Sequence, residues 1–275
     1  MITQEQIYLL SKKKRIAEAI VFREYLQLLF LKELYSQRQS KNVFFKGGTA
    51  LHLIYKAPRF SEDLDFTVEL KEKIFLDFIW KLFDNLSKKE AVSFKERKTI
   101  AGKRFLLTAA PAVLPYQTFV NLDFSFREKA LAPQKSIIEL DYPVLFTSYL
   151  YHLSKEEIFA EKIRALLTRA KGRDLYDLWY LLTQGASFEE SLVKEKLKYY
   201  HLENINKDKI WEKIGRISKK DFILDLRPLV PIDEREKLGN FFAYIKDYLQ
   251  KHLITKRKKN LRKTENENTN FKLER

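Results

Sequence analysis

The stretch FKGGTALHLIYKAPRFSEDLDF, residues 45–66, sets two different periodicities on either side of a glycine turn. The β-prone run Val43-Phe44-Phe45-Lys46 stops at Gly47-Gly48-Thr49. Ala50 to Tyr55 then reads as helix, and Pro58 ends it, because proline has no amide hydrogen and its ring clashes with the preceding turn. From Asp63 the period changes to two. Leu64, Phe66 and Val68 alternate with Asp63, Asp65 and Thr67, the pattern of a half-buried strand, so the two aspartates share one face.

Working outward, residues 13–36 read as an amphipathic helix through Ile16, Ile20, Tyr25, Leu28 and Leu31, and residues 74–87 as another. Phe94 to Ala109 reads as a basic strand pair turning near Ala101-Gly102. Residues 116–126 alternate again, placing Asn121, Asp123 and Ser125 on the polar face of a strand. After Pro143 the character becomes helical. Ser154 and Glu157 have the spacing of a capping box, in which each side chain satisfies the other's free amide. The helix they open carries Phe159, Ile163, Leu166 and Leu167 and ends near Lys171-Gly172. Asp174 then reads as the N-cap of a second helix that stops at Gly185. Further helices are expected at 188–200, 205–217 and 232–253. The expected fold is α+β: a mixed sheet with flanking helices in residues 1–145, a helical domain in 146–254, and a disordered basic tail in 255–275.

The 275 residues are 45% hydrophobic, enough for a packed core, and contain no cysteine, which excludes a disulfide framework and thiolate zinc sites. His52, His152, His201 and His252 are scattered without ligand-like spacing, and these and Trp80, Trp179 and Trp211 read as packing residues. No signal-peptide pattern opens the chain and no apolar run approaches the roughly 18 residues of a membrane span. A cytoplasmic protein with no membrane partner is the expectation. The formal net charge of +15 attracts polyanions, nucleic acid first among them.

Two carboxylates on one strand face, with Cα atoms roughly 6.5 Å apart, repel. At about 5 Å and an effective dielectric near 20 the cost is roughly 3 kcal/mol, which a divalent cation removes. Hard carboxylate oxygens suit Mg²⁺, or Mn²⁺, and such ions can hold an attacking hydroxyl and a leaving pyrophosphate in line. Asp63 and Asp65 are thus candidate metal ligands, with Asp123 a third on a neighbouring strand. Gly47, Gly48 and Thr49 stand where helix amides can cradle a triphosphate, and a Cβ there would obstruct its approach. Lys46, Arg59 and Ser61 can add charge and hydroxyl contacts.

These residues resemble the signature of the AbiEii/AbiGii abortive-infection toxin family, relatives of the DNA polymerase β-like nucleotidyltransferases. A second block, EIFAEKIRALLTRAKGRDLYDLWYLL at 157–182, resembles the family's downstream motif. The resemblance spans roughly residues 40–185. It implies a polymerase β-like domain in which Ser61, Asp63 and Asp65 serve metal and nucleotide, Lys162 contacts the triphosphate, and Asp174 or Asp177 supports catalysis; the spacing on successive helices favours Asp177. Thr49 departs from relatives that carry serine but keeps the hydroxyl. The implied activity is transfer of a nucleoside monophosphate from an NTP to RNA, at the tRNA 3′ end, in a toxin with a cognate antitoxin used in phage defence. A protein side chain or small molecule as acceptor, or a non-catalytic nucleotide- or RNA-binding module, are the alternatives. The basic stretch 88–104 and the tail are candidate RNA grips.

Overall fold

A computed structural model describes residues 1–110, 115, 117–139, 141–202 and 207–254. Tyr116, Ile205, Asn206 and the expected tail at 255–275 lie outside the described residues. The chain divides into two compact units, the first comprising Met1–Ile158 and Leu226–Glu236, the second Phe159–Asp225 with the residues from Lys237 onward.

The first unit is built on a seven-stranded mixed sheet of β1 (Val43–Lys46), β2 (Leu64–Val68), β3 (Val92–Arg97), β4 (Lys103–Ala109), β5 (Thr118–Ser125), β6 (Pro133–Ser136) and β7 (Leu150–Leu153). Their order is β3-β4-β5-β2-β1-β7-β6. β2 runs parallel to β5 and β1 parallel to β7, while the other neighbours are antiparallel. One face is aromatic: Phe66 stacks on Phe124 at 4.8 Å, and Phe105 and Phe94 pack against Phe83. Helices α2 (Glu18–Tyr35) and α4 (Glu72–Lys89) supply Phe30, Phe75 and Phe83 to cover that face. The polar row is left on the other. β6 and β7 were not expected from sequence. β6 is a polar, exposed edge strand, and β7 is too short to show a period.

The helix expected over 13–36 is two helices. α1 (Gln4–Lys14) ends at Arg15, whose left-handed backbone (φ 52°) turns the chain before α2 begins. Nor is α2 amphipathic: it is buried almost all round, including Glu24 and Gln27. A helix follows β1 as expected, but α3 (Gly47–Leu53) takes in the glycines expected as a turn and ends before the expected Tyr55. Only half of the expected capping box forms, before α5 (Lys155–Arg169). The Glu157 amide donates to Ser154 Oγ, but the Glu157 carboxylate accepts from the Leu131 and Ala132 amides. The Ser154 amide goes to the Ala132 carbonyl.

The second unit is helical, with α6 (Gly172–Thr183), α7 (Glu190–Lys198), α8 (Lys207–Arg216), α9 (Lys219–Leu226) and α10 (Leu238–Ile254). Trp179 packs edge-on against Phe241 of α10. α9 was not expected; Ser218 caps it by accepting from the Asp221 amide. The last helix starts at Leu238 rather than 232, because Pro231 opens a single 3-10 turn at Ile232–Glu234 that belongs to the first unit.

Candidate active site

The junction of β1 and α3 lies against the Arg59–Asp65 segment of the same unit. Gly47 has φ +78°, a conformation that favours glycine, and a Cβ added there would land on the carboxylate of Asp65, 2.9 Å from its Cγ. A Cβ on Gly48 would stand 2.7 Å from Ser61 Oγ and 2.8 Å from Arg59 Nη2. The absent side chains are therefore what lets the turn approach Ser61 and Asp65. Thr49 closes the contact by donating from Oγ1 to the Asp63 carbonyl.

The segment is also held from behind. Buried Gln27 donates to the carbonyls of Ser61 (3.1 Å) and Glu62 (2.9 Å), and Arg23 pairs with Glu62 at 2.6 Å. Arg59 is almost wholly buried and donates to the Phe60 carbonyl. Phe60 in turn donates its amide to Leu229 at 2.7 Å. His52 bonds the Ala57 carbonyl and buried Glu24, fixing the chain between helix and motif.

Asp65 is the register partner of Lys46 on one side and Asp123 on the other. Asp63 accepts from Asn121 Nδ2 at 2.8 Å. Asp123 accepts from Arg104 Nε at 2.5 Å. Burial is the largest influence on Asp123 and raises its pKa; Arg104 opposes that, and the nearby negative charge of Asp63 adds to it. The Arg104 pKa is raised, first by its hydrogen bond to Asp123 and then, against burial, by the negative charge of Asp123, Asp63 and Asp65, so its guanidinium is a counter-cation to the carboxylates. Lys46, expected at the nucleotide, is buried and forms an ion pair with buried Glu128 at 2.5 Å.

In the second unit the downstream motif gathers Lys162, Asp174 and Asp177. Lys162 Nζ lies 2.7 Å from Asp177 and 3.5 Å from Asp174, with both carboxylates fully buried. Asp174 is not an N-cap: Lys171 holds that position, and Asp174 sits in the first turn, accepting two bonds from Arg169 at 2.7 and 2.9 Å. Burial pushes the Asp174 pKa up, but Lys162 and Arg169 outweigh it and bring the value down to about 2.

A family model described as the nucleotidyl transferase AbiEii toxin of type IV toxin–antitoxin systems matches residues 29–258. The chain belongs to this family. As an AbiEii member it has the nucleotidyltransferase toxin fold, and membership implies an NTP substrate and a cognate antitoxin. Among solved structures it is similar to MenT4, nucleotidyltransferase toxin Rv2826c from Mycobacterium tuberculosis H37Rv, with TM-score 0.62 and 22% identity over 90% of each chain. It is also similar to JHP933 from Helicobacter pylori (TM-score 0.51, 21% identity, covering 86% of this chain and 95% of that one). A putative nucleotidyltransferase from H. pylori gives TM-score 0.52 at 20% identity, covering 86% and 98%. A search of curated proteins found no match.

Among the described residues of this AbiEii protein, no three His, Cys, Asp or Glu side chains are grouped closely enough to hold a metal ion alone, and no helix is long and apolar enough to cross a membrane. Gln27, Asn121 and Arg104 are the positioning residues that motif reading passed over. Asn121 carried a signal, lying two residues before Asp123 on the same polar face. Arg104 and Gln27 carried none, because their partners are set by strand register and helix placement.

Proposed function

We propose that this AbiEii toxin transfers a nucleoside monophosphate from an NTP to an RNA hydroxyl, at the 3′ end of tRNA, with Mg²⁺ or Mn²⁺. The observation that carries the reading is the approach of the Gly47-Gly48 turn to Ser61 and Asp65, where any Cβ would occupy space beside a carboxylate and a hydroxyl. Amides at the start of α3 and the Ser61 hydroxyl receive the triphosphate. Mg²⁺ is commonly held by one or two carboxylates plus the substrate's own phosphate oxygens, so Asp63 and Asp65 suffice without a protein-only cage. When bound, the ion supplies Lewis-acid stabilisation of the phosphate charge. Asp123, whose Oδ1 accepts from Arg104, would be a further ligand through its other oxygen.

In the transfer the acceptor oxygen bonds to the α-phosphorus, the bond from that phosphorus to the bridging oxygen of the β-phosphate breaks, and pyrophosphate leaves with the charge. The hydroxyl proton passes to a carboxylate or to water. Arg59, held in place by burial, keeps the Ser61 side of the turn fixed. Lys162, with Asp177 as its nearest partner and Asp174 as a second, belongs to the reading as a residue whose loss abolishes transfer.

The test is incubation with each labelled NTP and Mg²⁺ against purified tRNA, total RNA and protein extract. Label in RNA that disappears in Asp65→Ala and Lys162→Ala is the expected result. Label in protein would overturn the acceptor, and equal absence of label in wild type and Asp65→Ala would overturn the catalytic reading.

A further inference from the structure

Cross-strand partners point to the same side of a sheet. Arg97, Arg104, Asp123, Asp65 and Lys46 are aligned across β3, β4, β5, β2 and β1 and so form one row on one face. Beside it runs a second row of Lys95, Leu106 and Asn121, the last of which bonds Asp63. The face that carries the aspartates therefore continues, without a change of side, to the outermost strand of the sheet. That strand, β3, is an edge of the sheet, with no further strand beside it among the described residues.

Most cations of the 88–104 region are already paired. Lys88 holds Asp84, Lys89 holds Glu33, Lys103 holds Glu72 and Glu96, and Arg104 holds Asp123. Lys95, Arg97 and Lys98 are exposed, and none of the three pairs with a carboxylate among the described residues. An ion pair would have cancelled their field; here it is left for an outside anion. Three strand spacings, roughly 14 Å, separate β3 from β2. A phosphate bound at Arg97 thus belongs to a nucleotide set back from the reacting hydroxyl.

We propose that the β3 edge is the acceptor's docking track: the RNA backbone crosses Lys95 and Arg97, with Lys98 at the hairpin turn, and its end is led along the same sheet face toward Asp63 and Asp65. This rests on RNA being the acceptor. Because the contact is remote from the reacting atoms, its removal weakens RNA binding and raises the KM for RNA while leaving the KM for NTP unchanged.

The experiment is fluorescence anisotropy of the full chain with labelled single-stranded RNA between 50 and 200 mM salt. It compares wild type, K95E/R97E and K73E/K81E. Lys73 and Lys81 are exposed on α4, which covers the opposite face, and their reversal changes the net charge equally. K95E/R97E is expected to lose at least about tenfold in affinity and about 1.4 in the slope of log K against log salt, at about 0.7 per phosphate contact. K73E/K81E stays within about twofold of wild type. The milder K95Q/R97Q repeats the comparison should charge reversal impair folding. Equal loss in both charge-reversed variants, or no loss in K95E/R97E, overturns the track. Polyglutamate displacing the RNA as well as unlabelled RNA does would assign the edge to an acidic protein and also overturn it. Labelling by the wild type separates the two claims: no label in RNA removes the acceptor reading, whereas labelled RNA with K95E/R97E behaving as wild type removes the track alone.

Discussion

At Gly47 two separate demands fall on one atom that is not there. The backbone lies at φ +78°, where an L-residue is disfavoured by roughly 1–2 kcal/mol, and the space a Cβ would take is filled by Asp65. Gly48 meets only the second demand, against Ser61 Oγ and the end of the Arg59 side chain, and a serine can rotate. Gly47→Ala should therefore be the worse substitution, displacing Asp65 and lowering kcat/KM by about 100-fold or more, since misplacement of about 1 Å can cost that much. Gly48→Ala should cost less. Steady-state kinetics on the two variants checks the order, and a reversed order would remove Asp65 as the reason for the glycine. Asp63, Asp65 and both glycines were readable in the sequence because a period-two strand and a glycine turn are local patterns. Arg104 was not readable, since nothing near residue 104 states that its strand will align with Asp123.

The pairing of α5 with α6 turns on buried charge. Asp174 sits between Lys162 and Arg169 with its pKa held at about 2, below the ordinary carboxylate value of 3.8. A folded-state pKa below the unfolded one means that folding favours the charged form. The contribution is fully present above about pH 4 and disappears as pH falls through about 2; the shift corresponds to about 2 kcal/mol. Asp174→Asn should lower stability at pH 7, leaving Lys162 and Arg169 short of a carboxylate, by about 3 kcal/mol. It should also flatten the acid limb. Chemical denaturation between pH 2 and pH 7 reads both, and an unchanged acid limb in the variant would show that Asp174 is not the group responsible. At this scale the long helices and alternating strands were readable from periodicity. What failed has physical causes: α2 shows no polar stripe because it is buried nearly all round, and its separation from α1 rests on one left-handed residue, Arg15, which carries no glycine signal.

Across the whole chain, sequence order and spatial grouping diverge at one place. A chain read along its length has a sheet part followed by a helical part, yet residues Leu226–Glu236 return to the first unit. Composition could not show this, because the returning segment is short and two of its three contacts to Phe60 and Arg15 are backbone bonds that no side chain advertises. Leu229 accepts from the Phe60 amide, Ile232 donates to the Arg15 carbonyl, and Asp233 pairs with Arg15 at 2.8 Å. The first of these bonds touches the motif itself, one residue before Ser61. A fragment of residues 1–158 keeps every strand of the sheet but loses all three partners, and an orphaned buried amide alone costs about 1–3 kcal/mol. That fragment should melt well below a version in which residues 226–236 are rejoined through a flexible Gly/Ser linker. Its Phe60 amide should exchange with solvent faster by a factor that the linker restores. Thermal melts and hydrogen exchange on the two proteins measure this directly. Equal stability, with equal Phe60 protection, would show that the returning segment merely rests on the unit and does not hold the motif in place.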